Sequence, residues 1–324
     1  MSQRWLVEDG IGEQRAALVI DGRIIKARIE PDDAGPLVGA VLDAVLTEGG
    51  RLPKVTLASG GEAMLDRMPQ GMTLGQRLRV EVVRMALSEG PRRKLPKVVV
   101  ATEGAALRPG ATLIERVAAS GVPVERVTAH GPDLLEEAGW SEVLEEAASG
   151  DIAFPGGVLR LAITPAMALF DVDGDGAAEA LAVAAAKAVG EAVIRLGIGG
   201  SIGIDFPTLA GKGARQAVAA ALDAALAEAG PFERTAVNGF GFLQLIRPRS
   251  RPSLPEHVRG PGAAARALLR RWERELPPGP SVRPAPAPVA RWLNDQRPDL
   301  LAALARRTGN AAPVTDMGLS YTHR

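Results

Sequence analysis

Between residues 158 and 254 short apolar runs alternate with long alanine-rich stretches, and few architectures accommodate that order. VLRLAI (158–163), MALFDV (167–172) and SIGIDF (201–206) have the length and branching of buried strands. A further strand is expected over 235–246. Residues 177–196 and 212–229 are rich in alanine, with apolar positions at helical spacing, and predict two helices. Gly199-Gly200 reads as the terminator of the first. Strand and helix in alternation predict a sheet with helices packed on it, whose strand ends gather at one edge. Two of the expected strands end in an acid, Asp171 in ALFD and Asp205 in GIGID.

Upstream the punctuation differs. Residues 4–30 read as strands joined by a hairpin turn at Asp21-Gly22, followed by a linker at 31–36. Residues 37–100 carry short alternating runs, such as LRVEVV at 78–83, separated by Gly49-Gly50 and Gly60-Gly61, and predict a small barrel. Helical signals return at 112–119 and 132–148, and FPGG at 154–157 looks like a turn opening a new layer. Beyond 254 a basic helix is expected over 263–276. A linker with six prolines follows at 277–288, then a small helical unit.

Composition narrows the chemistry. The 324 residues include no cysteine, which removes disulfides, thiolate metal sites and thiol nucleophiles and fits a reducing, cytoplasmic setting. No apolar stretch reads as a membrane span. Charge balances at 38 basic and 38 acidic residues, which argues against indiscriminate coating of nucleic acid. Locally it does not balance: 131–151 holds seven acids and no Lys or Arg, while 245–274 holds eight Arg and two Glu. Such asymmetry predicts an electrostatic face, or else solvated helix surfaces. Aromatics make up 3% of the chain, so extensive base-stacking platforms are not expected.

Asp171 and Asp205 suit a hard cation, because magnesium takes oxygen ligands and often only one or two carboxylates, completed by water or phosphate. The spacing serves equally well for two carboxylates that cap the following turn and helix. Asp171, Asp173 and Asp175 also imitate the start of a calcium-binding loop, but the twelfth position is Ala182 and the preceding segment reads as strand. His130, His257 and His323 are scattered without metal-ligand spacing and read as surface histidines.

Taken together, three segments resemble the catalytic half of the ribonuclease E/G family. FPGGVLRLAITPAMALFDVDG is similar to the strand pair ending in that family's first metal-binding aspartate. GIGGSIGIDF is similar to the segment with its second, and VNGFGFLQLIRPRSRPSL to the strand and basic turn that follow. PVARWLNDQRPDLLAALARRTG resembles its small C-terminal element. The resemblance implies an α+β and α/β multidomain chain. An OB-fold RNA-binding barrel (37–101) would be inserted in a split ribonuclease H-like part (1–36 and 102–153). A mixed α/β, DNase I-like catalytic domain (154–254), a basic helix with Pro-rich linker (255–288) and a small C-terminal helical unit (289–324) would follow.

It further implies a metal-dependent endoribonuclease acting on single-stranded RNA, with Asp171 and Asp205 as ligands of magnesium, or manganese in its place, and Asp173 assisting. Lys212 and Arg215 match a basic helix start, and Arg247 and Arg249 would steer phosphate. The departures are informative. Asp173 stands where the family usually has Asn, and Gly239 where it usually has Arg. The paired cysteines that link protomers through zinc are absent, so no zinc and no such dimer is expected; the sequence leaves the oligomeric state open. The 5′-end sensing segment is largely missing. The barrel lacks its stacking aromatics near Val55 and Met64, so the grip on RNA would rest on Arg92, Arg93 and Lys94. The alternative is an RNA-binding protein of the same descent with impaired catalysis.

Overall fold

Alternation of apolar and polar residues makes the first three elements strands: β1 (Gln3–Asp9), β2 (Glu13–Ile20) and β3 (Arg23–Pro31), an antiparallel meander. Asp21 and Gly22 form the β2–β3 turn, both with positive φ (48° and 81°), the two-residue geometry that matches strand twist. The computed structural model describes residues 3–89, 92–275, 283–309 and 314–316.

The chain then leaves this sheet to build a closed five-stranded barrel. Its strands are β4 (Val41–Glu48), β5 (Lys54–Leu57), β6 (Glu62–Leu65) and β7 (Arg77–Arg84). After a small hairpin, β8 (Leu87–Glu89) with β9 (Arg92–Lys94), β10 (Lys97–Val100) closes it in the order β10-β6-β5-β4-β7. Leu46, Val55, Leu57, Leu65, Val80, Val82 and Val98 fill the interior. The barrel expected over 37–101 is there, with one strand the sequence does not announce. In β6 the short EAML run lacks β-branched residues, and its pairing with both β5 and β10 makes it a strand.

The chain returns through α1 (Leu113–Ala118), which Thr112 and Glu115 open with a reciprocal capping box. Leu113 and Val117 pack on Trp5, Val7, Ala16 and Leu18. Strand β11 (Val124–Arg126) then pairs parallel with β1, so residues on both sides of the barrel complete one sheet, ordered β11-β1-β2-β3. Helices α2 (Leu134–Glu137) and α3 (Trp140–Ser149) lead into the second sheet.

That sheet comprises β12 (Asp151–Phe154), β13 (Gly157–Ile163), β14 (Ala168–Gly174), β15 (Gly200–Asp205), β16 (Glu233–Arg234) and β17 (Phe242–Arg247). Its order is β12-β13-β14-β15-β17-β16, and only the central β14–β15 pair is parallel. The parallel pair needs a crossover, and α4 (Ala178–Arg195) supplies it; α5 (Lys212–Leu226) links β15 to β16. Three expectations change here. The FPGG turn is the tip of the β12–β13 hairpin. The strand expected over 235–246 is interrupted, because Asn238 and Gly241 turn the chain and only 242–247 pairs with β15. Helix α4 ends at Gly197 (φ 68°), not at Gly199-Gly200. Gly197 N–H bonds to the Ile194 carbonyl and Ile198 N–H to the Val193 carbonyl, a Schellman closure.

Nine residues of α4 are buried, including Ala182, Ala185, Ala186, Val189 and Val193, so it is apolar around most of its circumference. One continuous core reaches from Leu6, Val19 and Ala27 of the first sheet through α4 to Leu159, Phe170 and Ile204 of the second. Alanine is what permits a helix to lie that close to two layers.

Past the second sheet come α6 (Leu254–His257), α7 (Gly260–Arg274), β18 (Arg283–Ala285), α8 (Ala287–Arg291), a wide π turn at Trp292–Gln296, α9 (Pro298–Thr308) and β19 (Val314–Asp316). Ala265, Leu269, Trp272, Leu293, Leu300 and Leu304 form a separate core there, and Ile11 from the β1–β2 turn enters it. Of the expected linker, 277–282 lies outside the described residues, but 283–285 is a strand paired with β19 and 287–288 opens α8. No described helix is long and apolar enough to cross a membrane.

Part of the charge asymmetry turns inward, while Glu136, Glu137, Glu142, Glu145 and Asp151 stay on solvated surfaces. Arg270 of α7 holds Asp133 at 2.6 Å and Glu8 at 2.7 Å, and Arg274 meets the same two acids. Arg266 holds Asp33 at 2.6 Å. Much of the basic run is thus spent on internal ion pairs.

Candidate active site

The second sheet has one face under helices and one open. Leu159, Leu161, Phe170, Ile202, Ile204, Leu243 and Leu245 point into the core. Side chains alternate along a strand, so Arg160, Asp171, Asp173, Asp205 and Phe242 belong to the opposite face. Asp171 and Asp205 are direct register partners on the parallel pair β14–β15, and both are exposed. Neighbouring strands lie about 4.8 Å apart, so the two carboxylates leave the sheet side by side. Neither accepts a capping hydrogen bond: α4 and α5 both start without a side-chain cap, from Ala177 and Gly211.

Asp173 lies two residues on, on the same face, but its carboxylate is drawn to Arg160 at 3.0 Å. Arg160 is itself the register partner of Asp171. The row across the sheet therefore reads Arg160, Asp171, Asp205, Phe242. Asp171 and Asp173 sit in a strand rather than a loop, unlike a calcium hand.

The pair fits a divalent ion in one way and not in another. Two adjacent, solvent-facing carboxylates match the hydrated coordination of magnesium, which keeps several waters. Among the described residues there is no group of three or more His, Asp or Glu that could form an all-protein cage.

A tight turn frames the site at Asp205. The Asn238 Oδ1 accepts from the N–H groups of Phe240 (2.9 Å) and Phe242 (3.0 Å). Gly241 (φ 94°) donates nothing to Phe206 but accepts its N–H at 3.2 Å, and a Cβ there would collide with the Phe206 carbonyl. The turn leaves Phe240 85% exposed beside the carboxylates, the most exposed large apolar side chain among the described residues. At Gly239 open space surrounds the position of a Cβ, so no packing demand keeps a side chain out.

The basic residues divide into groups. Lys212 is exposed at the first turn of α5, the helix that follows β15. Arg215 is half-buried and donates to the Leu209 carbonyl at 3.3 Å. Arg247 is five residues along β17 from Phe242, hence roughly 17 Å from the carboxylate row. It and Arg249 stand at the opposite end of the sheet and do not flank the aspartates. Lys94 is exposed and shares a cavity of about 220 Å³ with Arg84, Met167, Ser201 and Arg249, at that same far end. Arg92 and Arg93 lie on β9, but their side chains are outside the described residues. His130 is exposed, His257 is half-buried in a cleft, and His323 lies outside the described residues.

Sequence reasoning passed over Arg160 and Phe240. The Arg160 signal was present, since VLRLAI places one charge among alternating apolar residues. Phe240 carried none, because its exposure depends on the turn that Asn238 and Gly241 make. No protein-family model matches the chain, and no curated protein matches it.

Proposed function

We propose that this protein is a metal-dependent endoribonuclease of single-stranded RNA, related to the ribonuclease E/G family and working in the cytoplasm. The single observation that carries the reading is the in-register pairing of Asp171 with Asp205 on adjacent parallel strands. Magnesium (or manganese), when bound, supplies polarisation of a phosphoryl oxygen and a lowered pKa for a coordinated water. Asp171 and Asp205 would hold it on an open face that a flexible strand can reach. Arg160 neutralises Asp173 and so limits like-charge crowding beside the pair. Lys212, at the same end of β15, offers a phosphate contact, and Phe240 offers a stacking surface for a base. Lys94 and Arg249, with Arg92, Arg93, Arg215 and Arg247, belong to phosphate contacts along the path of the strand rather than to the chemistry. The finer fold names belong to the same proposal: ribonuclease H-like for β1–β3 with β11, OB-type for the barrel, DNase I-like for the six-stranded sheet.

The test is cleavage of a single-stranded oligoribonucleotide with magnesium. Asp171→Asn and Asp205→Asn should each lower the rate about 100-fold or more, since a metal contributes several kcal/mol and about 1.4 kcal/mol is tenfold. Wild-type turnover no faster than that of the double variant would refute the assignment.

A second reading rests on Asp173 and Gly239: the usual Asn has become an acid tied to Arg160, and the usual Arg has no counterpart. On that reading the protein binds RNA without cutting it. Salt-sensitive RNA binding that survives loss of both aspartates, without turnover, would support it over the first.

A further inference from the structure

A cleft of about 250 Å³ opens where the first sheet, α1, the C-terminal end of α4 and the loop after β17 meet. Six cationic side chains line it, Lys26, Arg28, Arg116, Arg247, Arg249 and Arg251, against the two carboxylates of Glu30 and Glu228. Glu30 is already engaged: it accepts from the Leu113 N–H at 2.7 Å and pairs with Arg116 at 2.8 Å. Arg249 pairs with Glu256 at 2.9 Å. Lys26, Arg28, Arg247 and Arg251 form no salt bridge among the described residues.

Their hydrogen bonds go elsewhere. Arg28 donates to the carbonyls of Ala27, Ile194 and Arg195, and Arg247 to those of Ile198 and Ala229. Among the described residues Arg251 reaches only the Ser250 hydroxyl, at 3.5 Å. The Nε atoms of Arg247 and Arg251 are buried with no acceptor. Burial, then the charges of Arg247 and Arg116, push the Arg28 guanidinium down to about 10. Burial and Arg28 lower Lys26 against the pull of Glu228, and burial and Arg116 lower Arg251. The guanidinium groups remain charged at neutral pH, so they repel one another in a partly desolvated space. Closing the C-terminal carbonyls of α4 accounts for Arg28. It does not account for Lys26, Arg247 and Arg251 converging on the same space with donors to spare.

We propose that this cleft is a binding site for a phosphate or diphosphate group. Guanidinium forks match phosphate oxygens in geometry and charge, and the Lys26 ammonium adds a donor with no salt bridge of its own among the described residues. The volume lies just under the range of pockets that enclose drug-sized ligands, so it takes the anionic group rather than a whole nucleotide. The site stands at the far end of β17 from the carboxylate row and is independent of what Asp171 and Asp205 do. The group is carried either by a free phosphorylated compound or by a nucleic-acid strand; the chemistry recognised is the same.

Calorimetric titration of the full chain with inorganic diphosphate, at constant ionic strength of about 0.15 M, tests this. One-to-one binding is expected. Lys26→Gln and Arg251→Gln, neither of which removes a backbone-capping bond, should each weaken it about tenfold or more. Arg51→Gln, on a barrel loop outside the cleft, should leave it within about twofold. Diphosphate should also raise the melting temperature of the wild type over matched chloride, a readout that needs no variant. Competition with a short oligoribonucleotide lacking terminal phosphates separates the sources: displacement assigns the cleft to a strand, simultaneous binding to a free compound. No binding, or binding that both cleft variants leave unchanged, overturns the proposal.

Discussion

At the scale of single residues the open face sets the expectations. Phe240 is held out by a turn that two hydrogen bonds to Asn238 define, so its removal should not disturb the fold. Phe240→Ala should weaken single-stranded RNA binding by about 1–3 kcal/mol, the usual worth of one base stacked on an aromatic ring, measured by fluorescence anisotropy with an unchanged melting temperature alongside. His257 gives a second residue-scale test. Burial holds its imidazole down to about 4, with Arg266 adding to the shift and Glu256 and Asp33 opposing it. The folded state therefore keeps His257 neutral while the unfolded chain takes up a proton from about pH 6.5 downward. Stability should fall between pH 6.5 and about 4, by at most about 3 kcal/mol from this group. Urea titrations across that window should show a shallower fall for His257→Gln than for the wild type; parallel curves would remove His257 from the account.

Elements make a different kind of demand. Helix α4 crosses α5 so closely that a Cβ on Gly190 would stand 2.4 Å from the Ala225 Cβ. Glycine inside a helix costs about 1 kcal/mol relative to alanine, so its presence here reflects the crossing. Gly190→Val should destabilise by about 1–3 kcal/mol through overpacking, and Ala225→Gly in the same chain should recover part of the loss, both read from chemical denaturation. The crossing matters to the site because α4 is the connection that makes β14 and β15 parallel neighbours and so aligns Asp171 with Asp205.

Across the whole molecule, long-range ion pairs join the first sheet to the basic helix. Arg15 is 2% exposed and reaches Glu13 and Glu8, each at 2.7 Å; Glu8 also receives Arg270, which continues to Asp133. Truncating the central cation leaves two buried carboxylates short of a partner. Arg15→Met should cost about 3–5 kcal/mol, whereas Arg79→Met, on an exposed pair with Asp43, should cost less than about 1 kcal/mol. Equal effects in urea unfolding would show that the network adds nothing beyond surface pairing. The same network takes Asp133 of 131–151 into pairs with Arg270 and Arg274 of 245–274, while most acids of that stretch stay on solvated surfaces, the other outcome the charge asymmetry allowed.

Local rules carried much of the fold. Period-two alternation, the Asp21-Gly22 turn and alanine or apolar residues at helical spacing placed β1–β3, most of the barrel, α1, α4 and α5 from neighbouring residues alone, because each depends on bonds made within a few positions. The expectation that both acids close their strands holds for Asp205 alone: Asp171 stands in mid-strand, because β14 continues to Gly174 in pairing with β13. What alternation could not supply was register. Whether the two acids stand side by side or a sheet apart depends on which strands pair and at which offset, a decision made by α4 packing between two layers. Register likewise sent Arg247 and Arg249 to the far end of the sheet, where the fold gathers them with Lys26 and Arg28 from a segment more than two hundred residues earlier. The sequence by itself determined the strands, the helices and the identity of the acids. Only tertiary structure decided that the two acids are neighbours and that the arginines are not theirs, because pairing between distant segments is fixed by burial of the shared core rather than by any residue's own preference.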